Sequence, residues 1–226
     1  MALAAEVILN RVSTTLLDDS AAIDAERRWP SETELLDYLC AGQVQVVVLK
    51  PDANTKVDWL TLDDTVSRQS LPADGIVPLQ VIQNAATGTQ TGRAIQLMDR
   101  QDLDAMDPLW PTRTGTDVEG WVYDDRDSKG FLVYPRATGD VYVVYSAVPD
   151  RVQAKTDPIS LSDTYENALY HWVLAHAYAK NAKRGDVAKF NLHMQMFRSA
   201  LGLKAEAERS VAPIPSERTK TQTGGV

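Results

Sequence analysis

The stretch VAKFNLHMQMFRSALGL, residues 187–203, decides how the C-terminal part of this chain folds. Its apolar side chains recur at alternating steps of three and four residues: Val187, Phe190, Met194, Phe197 and Leu201. This is the a/d spacing of a helix that packs lengthwise on other helices. Gly185 and Asp186 separate it from what precedes, and Gly202 is the predicted C-terminal stop. The stretch therefore predicts one helix of a bundle, with these five apolar residues as its packing seam.

The segment before this helix has the same periodicity. Asp163 and Glu166 have the spacing of a capping box, in which side chains satisfy free backbone N–H groups of the first turn. One face then carries Tyr165, Leu169, Trp172, His176 and Ala179. We predict a second C-terminal helix here.

Two more helices are predicted at the N-terminal end. The first spans residues 2–18, with Ala5, Ile8, Val12 and Leu16 on one face. The second follows Trp29-Pro30 and starts at Ser31 and Glu34, which again have capping-box spacing. Its apolar stripe is Leu35, Leu39, Val46 and Leu49, and the β-branched run 44–49 blurs its end. Pro51 ends it, because proline lacks an N–H and disfavours helical geometry in the residue before it.

The middle of the chain has a different pattern. Between residues 57 and 148, short apolar or alternating runs are separated by Gly, Pro, Asp and Asn, which indicates strands. The predicted strands are 57–62, 77–82, 93–98, 118–123, 130–134 and 141–146. The loops 87–92 and 124–129 are predicted to be hairpin connections.

These elements predict an α+β fold. Its helical bundle is formed by the N- and C-terminal helices, and an antiparallel β domain is inserted between them, because each amphipathic helix pair needs an apolar partner surface. The predicted divisions are residues 1–52, the inserted domain 53–150, residues 151–203, and an extended tail 204–226. The tail is rich in Ser, Pro, Thr, Gln and Gly and cannot bury enough apolar surface to fold by itself.

Composition and charge restrict the function. Of 226 residues, 44% are hydrophobic and 24% charged, which is typical of a globular protein. No apolar run approaches the roughly 18 residues of a membrane-spanning helix, so no membrane partner is expected. The net charge of −8, with Lys and Arg scattered along the chain, argues against tight DNA binding but is compatible with lining a channel that DNA passes through.

Nucleophilic or metal chemistry is not expected from the histidines or the cysteine. His171 and His176 are five residues apart, which places them on different helix faces, and His193 belongs to the next helix. Their spacing offers no common metal site. Cys40, the single cysteine, is predicted to pack beside Leu36 and Leu39 as a small apolar group. No catalytic residue, metal or cofactor is predicted.

Three further sequence patterns resemble ligand-binding or catalytic sites but are better explained as turns, loops and element ends. Residues 125–130 begin like a calcium loop, but Lys129 and Arg136 occupy ligand positions, so a hairpin turn is the better interpretation. Residues 88–93 lack the order of a phosphate-binding loop. The pairs Asp63-Asp64 and Asp18-Asp19 fall at predicted element ends, where solvation and turn geometry explain them.

Aromatic residues of the β region leave one alternative open. Trp110, Trp121, Tyr123, Tyr134, Tyr142 and Tyr145 could form a platform that binds carbohydrate, although core packing and cross-strand pairing are commoner roles. The alternative function is therefore a module that binds carbohydrate through its aromatic β domain.

The order of segments resembles a known family. The stretches on which the resemblance rests are RWPSETELLDYLCAGQVQVVVLKPDA (28–53), SLPADGIVPLQVIQN (70–84), LMDRQDLDAMDPLWP (97–111), GWVYDDRDSKGFLVYPRATGDVYVVYSAVP (120–149) and LSDTYENALYHWVLAHAYAKNAKRGDVAKFNLHMQMFRSALG (161–202). Together they resemble the head-to-tail adaptors of short-tailed bacteriophages, also called tail tubular protein A or gatekeeper-type connectors. The resemblance covers nearly all of the chain before the tail.

This resemblance implies a structural role in the virion. It implies a dodecameric ring between the portal protein and the tail nozzle protein, assembled in the host cytoplasm, with neighbouring copies of itself as lateral partners and DNA passing through the centre without specific binding. The C-terminal tail of the chain, residues 204–226, suggests a further hypothesis. Val211, Pro213, Ile214 and Pro215 form a stiff apolar motif that would dock on the portal or a neighbouring copy.

Overall fold

A computed structural model describes residues 3–16, 32–85, 92–124, 126–180 and 186–211. These residues form five helices, α1 (Ala5–Thr15), α2 (Glu32–Leu49), α3 (Arg100–Met106), α4 (Glu166–Lys180) and α5 (Val187–Val211). They also form seven strands, β1 (Thr55–Thr61), β2 (Arg68–Ser70), β3 (Gly75–Asn84), β4 (Gln96–Leu97), β5 (Gly120–Tyr123), β6 (Gly130–Tyr134) and β7 (Asp140–Ala147). Helices at both ends with a β region between them confirm the predicted α+β fold class.

The helical bundle is built around α4, which contacts α1, α2 and α5. One apolar core joins the four helices with the segment before α4, and Ile8, Leu39, Leu169 and Phe197 are fully buried in it. The amino end of α1 has no side-chain cap. Instead its first amides, those of Ala5 and Glu6, donate to backbone carbonyls of residues 157 and 155, so the segment before α4 satisfies them.

The β region contains two sheets that share a second apolar core. Strand β7 lies between β1 and β3 in the first sheet, and the second has the order β2-β6-β5-β4. Val81 and Val143 of the first sheet and Trp121 and Phe131 of the second belong to the same buried cluster. Pro78 is tolerated within β3 because β3 is an edge strand with register shifts around that position.

Asn84 joins three segments of this β region. Its side-chain amide donates to the carbonyls of Arg93 (2.9 Å) and Val118 (2.8 Å), and its Oδ1 accepts from the Val118 N–H at 2.8 Å. Because Asn84 is almost fully buried, these bonds replace the water that its amide would lose. The end of β3 is thereby tied to both the return strand and the segment that leads into β5.

Several predicted boundaries are wrong. Helix α5 continues through Gly202 to Val211, so residues 204–211 of the predicted extended tail are helical. Contacts of Lys204 and Glu208 explain the extension, because the Lys204 ammonium lies 3.8 Å from the centre of the Tyr165 ring and Glu208 forms an ion pair with Lys50. Helix α4 is preceded by a single 3-10 turn whose cap is Ser162, not Asp163. Helix α1 is shorter than predicted at its amino end.

The β region also departs from the prediction in detail. Strands occur at all six predicted places, although residues 93–98 contribute only the two-residue strand β4. β4 pairs with β5 in parallel, so the second sheet is mixed and not wholly antiparallel. Strand β2 and helix α3 were not predicted. They are only three and seven residues long, too short for periodicity to reveal them.

One of the two predicted hairpins is confirmed, and the tip of the other lies outside the described residues. Strands β5 and β6 pair antiparallel across the 124–129 turn, which confirms that hairpin. Residues 86–91 of the other loop lie outside the described residues, but Asn84 N donates to the Arg93 carbonyl and Ile95 N to the Ile82 carbonyl on either side of it.

Gly139, in the turn before β7, has a φ of +118°, a conformation that side chains disfavour.

Candidate functional site

The predicted seam of α5 faces the bundle along most of its length. Phe197 and Leu201 are buried, while Phe190 and Met194 are half-buried. The Phe197 ring lies 5.1 Å from that of Trp172 on α4. Val187 departs from the seam, since its residue is 73% exposed. Periodicity fixes the helix face of Val187 but not the point at which the contact with α4 ends.

Helices α2 and α5 also present apolar side chains to solvent. Val44 and Val48 are exposed on α2, and Leu192, Met196 and Leu203 are exposed on α5. A groove of about 480 Å³ runs beside α2, between Ala41 and Val44 on one side and Val148 and Pro149 on the other. The periodicity that located the seam did not single out these outer faces, which are candidates for contact with another protein.

The histidines are arranged differently from the prediction. His171 of α4 and His193 of α5 meet across the helix interface, with their Nδ1 atoms 3.1 Å apart, a contact that their spacing in the sequence did not indicate. Their spacing does not reveal this contact, because the two histidines lie on different helices and come together only when α4 and α5 pack against each other. Burial is the main cause that lowers the pKa of both rings, and the charges of His193 and Arg11 lower that of His171 further.

His176 occupies a separate environment. Its ring lies 4.4 Å from that of Trp172 and 5.6 Å from that of Tyr38, and burial lowers its pKa. It therefore packs within the bundle. In the described part of the chain, no three His, Cys, Asp or Glu side chains are grouped so that they could hold a metal ion.

Half of the predicted aromatic platform lies in the apolar cores. Trp110, Trp121 and Tyr145 are buried, whereas Tyr123 is exposed and Tyr134 and Tyr142 are half-buried. The Tyr145 hydroxyl donates to Asp58 at 3.0 Å, and burial is the main cause that raises its pKa to about 12. The sequence reasoning missed Trp59, which is 49% exposed and lies against Tyr142 with ring centres 4.8 Å apart. β-strand alternation in β1 could have found it.

A second groove, of about 790 Å³, lies between α3 and the β4-β5 edge. Its carboxylates serve the local fold. Asp99 accepts from Gln101 N at 2.7 Å and so caps α3, Asp104 accepts from the Trp110 indole N–H at 2.7 Å, and Asp124 accepts from Arg126 N at 3.0 Å. Carboxylates engaged in this way are poor candidates for acid-base work, which needs a group free to exchange a proton with substrate.

The remaining sequence candidates also have structural roles. Asp63 accepts from the backbone and hydroxyl of Thr65, bonds that lower its pKa. Asp127 forms an ion pair with Arg68, and the pKa of its carboxyl is lowered by it. The Cys40 thiol is half-buried and lies 3.5 Å from the Val152 carbonyl. Asp18, Asp19 and most of the 88–93 loop lie outside the described residues.

The proposed docking motif is divided by the end of α5. Val211 is the last residue of that helix, and Pro213, Ile214 and Pro215 lie outside the described residues. Among the helices that the structure describes, none has the length and apolarity needed to cross a membrane.

The bundle and the β region form an α+β protein in which the polar groups described above hold the fold, while apolar side chains on the outer faces of α2 and α5 are exposed. Comparison with protein families gives the particular family. The model of the SU10 adaptor proteins matches residues 4–217, and the chain therefore belongs to this adaptor family of phage head-to-tail connectors. The resemblance seen in the sequence is thus confirmed. Among curated proteins, no match is found. Family membership makes the chain a structural component of a phage virion.

Proposed function

We propose that this chain is the head-to-tail adaptor that forms a dodecameric ring between the portal protein and the tail nozzle protein, around the channel through which DNA passes. The family match over residues 4–217 carries the proposal. Assembly takes place in the host cytoplasm, before the adaptor is incorporated at the portal vertex of the virion.

The charge of the chain supports a channel role. A net charge of −8 gives the ring a negative total potential, which repels the phosphate backbone and opposes binding of a passing duplex. DNA is therefore a passenger in this proposal, and the partners that bind are the portal, the nozzle and neighbouring copies.

The C-terminal segment supports attachment to a partner. Beyond Val211, the sequence is APIPSERTKTQTGGV, in which Ile214 is flanked by two prolines. Prolines preset an extended backbone, so docking costs less conformational entropy, and Ile214 offers an apolar anchor. This segment acts as the docking arm, which shortens the arm predicted from sequence to the residues after α5.

The alternative function, a tail-associated carbohydrate-binding module that uses the aromatic β domain, has less support. Three of its six aromatic residues, Trp110, Trp121 and Tyr145, are enclosed in cores and cannot stack on a sugar. The exposed Trp59 and the half-buried Tyr142 beside it form a small surface, which can equally pack on protein.

Electron microscopy of the purified chain mixed with its portal tests the proposal. We expect a ring of this chain stacked coaxially on the portal, with an open central channel. A preparation in which the portal carries no added density, at concentrations well above those in the cell, would contradict it.

A further inference from the structure

Helix α5 has two apolar stripes on opposite faces. The inner stripe is the seam Phe190, Met194, Phe197 and Leu201. The outer stripe, which is Leu192, Met196, Ser199 and Leu203, repeats the same steps of four, three and four residues two positions later. Two residues rotate a helix by about 200°, so the outer stripe points away from the bundle. Its apolar members are exposed, Leu203 by 66%.

Helix α2 repeats this arrangement. Leu35, Leu39, Gly42 and Val46 form its buried stripe, and Asp37, Ala41, Val44 and Val48 form an outer stripe with the same steps, two positions later. Val48 is 60% exposed. Residues 40–49 contain no charged side chain, so this half of α2 is uncharged on its solvent side as well as on its core side.

An outward valine in a helix brings no advantage to an isolated subunit. Valine is β-branched and loses side-chain freedom in a helix, so alanine or a charged residue would stabilise an exposed position better. A helix that is apolar all round is normally buried. The outer stripe of α2 therefore has the composition of a surface that another molecule covers.

The two outer stripes are complementary in size. Ala41 and Val44 are small and line the groove of about 480 Å³, whose far wall is formed by Val148 and Pro149 and whose lining also includes Asp37, Asp150 and Arg151. Val48, also small, is exposed further along the same stripe. Leu192, Met196 and Leu203 are long and project from α5. Long side chains on one helix that fit between short ones on another give the knobs-into-holes packing of heptad-spaced helices.

We infer that the outer stripe of α5 in one copy packs into the α2 groove of a neighbouring copy. Both stripes point away from the core of their own bundle, so they meet only between copies. An interface made of two different faces is heterologous, and such a contact generates a ring when the rotation closes. The inference rests on the proposed function, which requires a ring, and it names the residues that would form the lateral contact.

Glutamate substitutions test the contact in the full-length chain. We expect that Met196→Glu and Val44→Glu each abolish the ring seen on the portal by electron microscopy, because each places a charge in an apolar interface. Asn191→Glu is the matched control, since Asn191 is exposed on α5 to one side of the stripe, and it should form rings like the wild type. All three positions are exposed, so circular dichroism and melting temperature should be unchanged. Rings formed normally by both stripe variants would overturn the inference.

Crosslinking tests the pairing of the two stripes. In a Cys40→Ala background, Val44→Cys combined with Met196→Cys should give a ladder of covalent multimers when assembled particles are treated with a short bis-maleimide. Each single cysteine should stay monomeric on a denaturing gel. Covalent dimers from Val44→Cys alone would show an α2-α2 contact and refute the pairing, as would a double variant that forms rings but no multimers.

Ring formation by the wild-type chain distinguishes a wrong interface from a wrong proposed function. If wild-type rings form and the stripe variants behave like wild type, the interface is wrong and the adaptor proposal stands. If the wild-type chain forms no ring on its portal, the adaptor proposal fails and the inference fails with it.

Discussion

Replacing Asn84 by alanine is expected to destabilise the β region substantially. The side chain makes three hydrogen bonds, of 2.8 to 2.9 Å, to backbone groups of Arg93 and Val118. The Arg93 carbonyl keeps a second partner after the substitution, because it also accepts from the Asn84 N–H at 2.9 Å. The groups that lose their partner are the N–H and carbonyl of Val118, a residue with no exposed surface.

The size of the effect follows from these two groups. A buried backbone group left without a partner costs about 1–3 kcal/mol, so two of them cost roughly 3 kcal/mol in total if the surrounding chain relaxes somewhat. Asn84→Asp should behave differently. It keeps the acceptor for Val118 N but turns the carboxylate towards two carbonyls, which favours the protonated form and raises the pKa of that carboxyl in the folded state. Its stability should therefore improve as the pH falls.

Urea denaturation followed by circular dichroism measures both variants. Gln80→Ala is the control, because Gln80 is exposed on the same strand and its loss should change the free energy of unfolding by less than about 0.5 kcal/mol. If Asn84→Ala unfolds at the same urea concentration as Gln80→Ala, then Asn84 does not hold the β region together as described.

Three further predictions concern the histidines, the tail and the free subunit. The pKa values of His171 and His193 are lowered in the folded state, so the unfolded chain binds more protons than the folded chain below a pH of about 6.5. The stability of the wild type is therefore complete above that pH and should fall as the pH decreases. Thermal melts should show this loss, and a smaller loss in the His171→Gln, His193→Gln variant. Stoichiometric zinc in the purified wild type that is absent after both substitutions would instead make the pair a metal site. Truncation after Val211 should leave circular dichroism and melting temperature unchanged yet weaken co-sedimentation with the portal, and equal binding would refute the docking arm. Light scattering should find the free chain monomeric or weakly associated, because ordering the tail opposes association until the portal supplies more contacts; a stable ring without portal would refute this template dependence.

The four helices of the bundle, α1, α2, α4 and α5, were predictable because each has a long amphipathic period. Leu39 and Leu169 follow from spacing alone and are fully buried in the bundle core. The end of α5 was not predictable in the same way. Glycine commonly ends a helix, but here tertiary contacts of Lys204 and Glu208 with Tyr165 and Lys50 continue the helix past Gly202, and such contacts depend on the packed bundle.

Pairings between distant segments were also beyond local patterns. His171 and His193 meet only because α4 and α5 pack together, and the parallel pairing of β4 with β5 depends on a crossover through α3. The outer stripes of α2 and α5 were present in the sequence as heptad-like spacing. They became meaningful once the structure showed which of the two stripes on each helix was already buried.

The proposed function depends on a ring of this chain on the portal. Electron microscopy of the reconstituted portal complex, or of virions with the chain in place, tests for that ring directly. We expect a closed, rotationally symmetric ring of this chain beneath the portal, with the α5 of each copy lying against the α2 of the next. Portal particles that bind the chain as isolated subunits, or that do not bind it, would contradict the adaptor role.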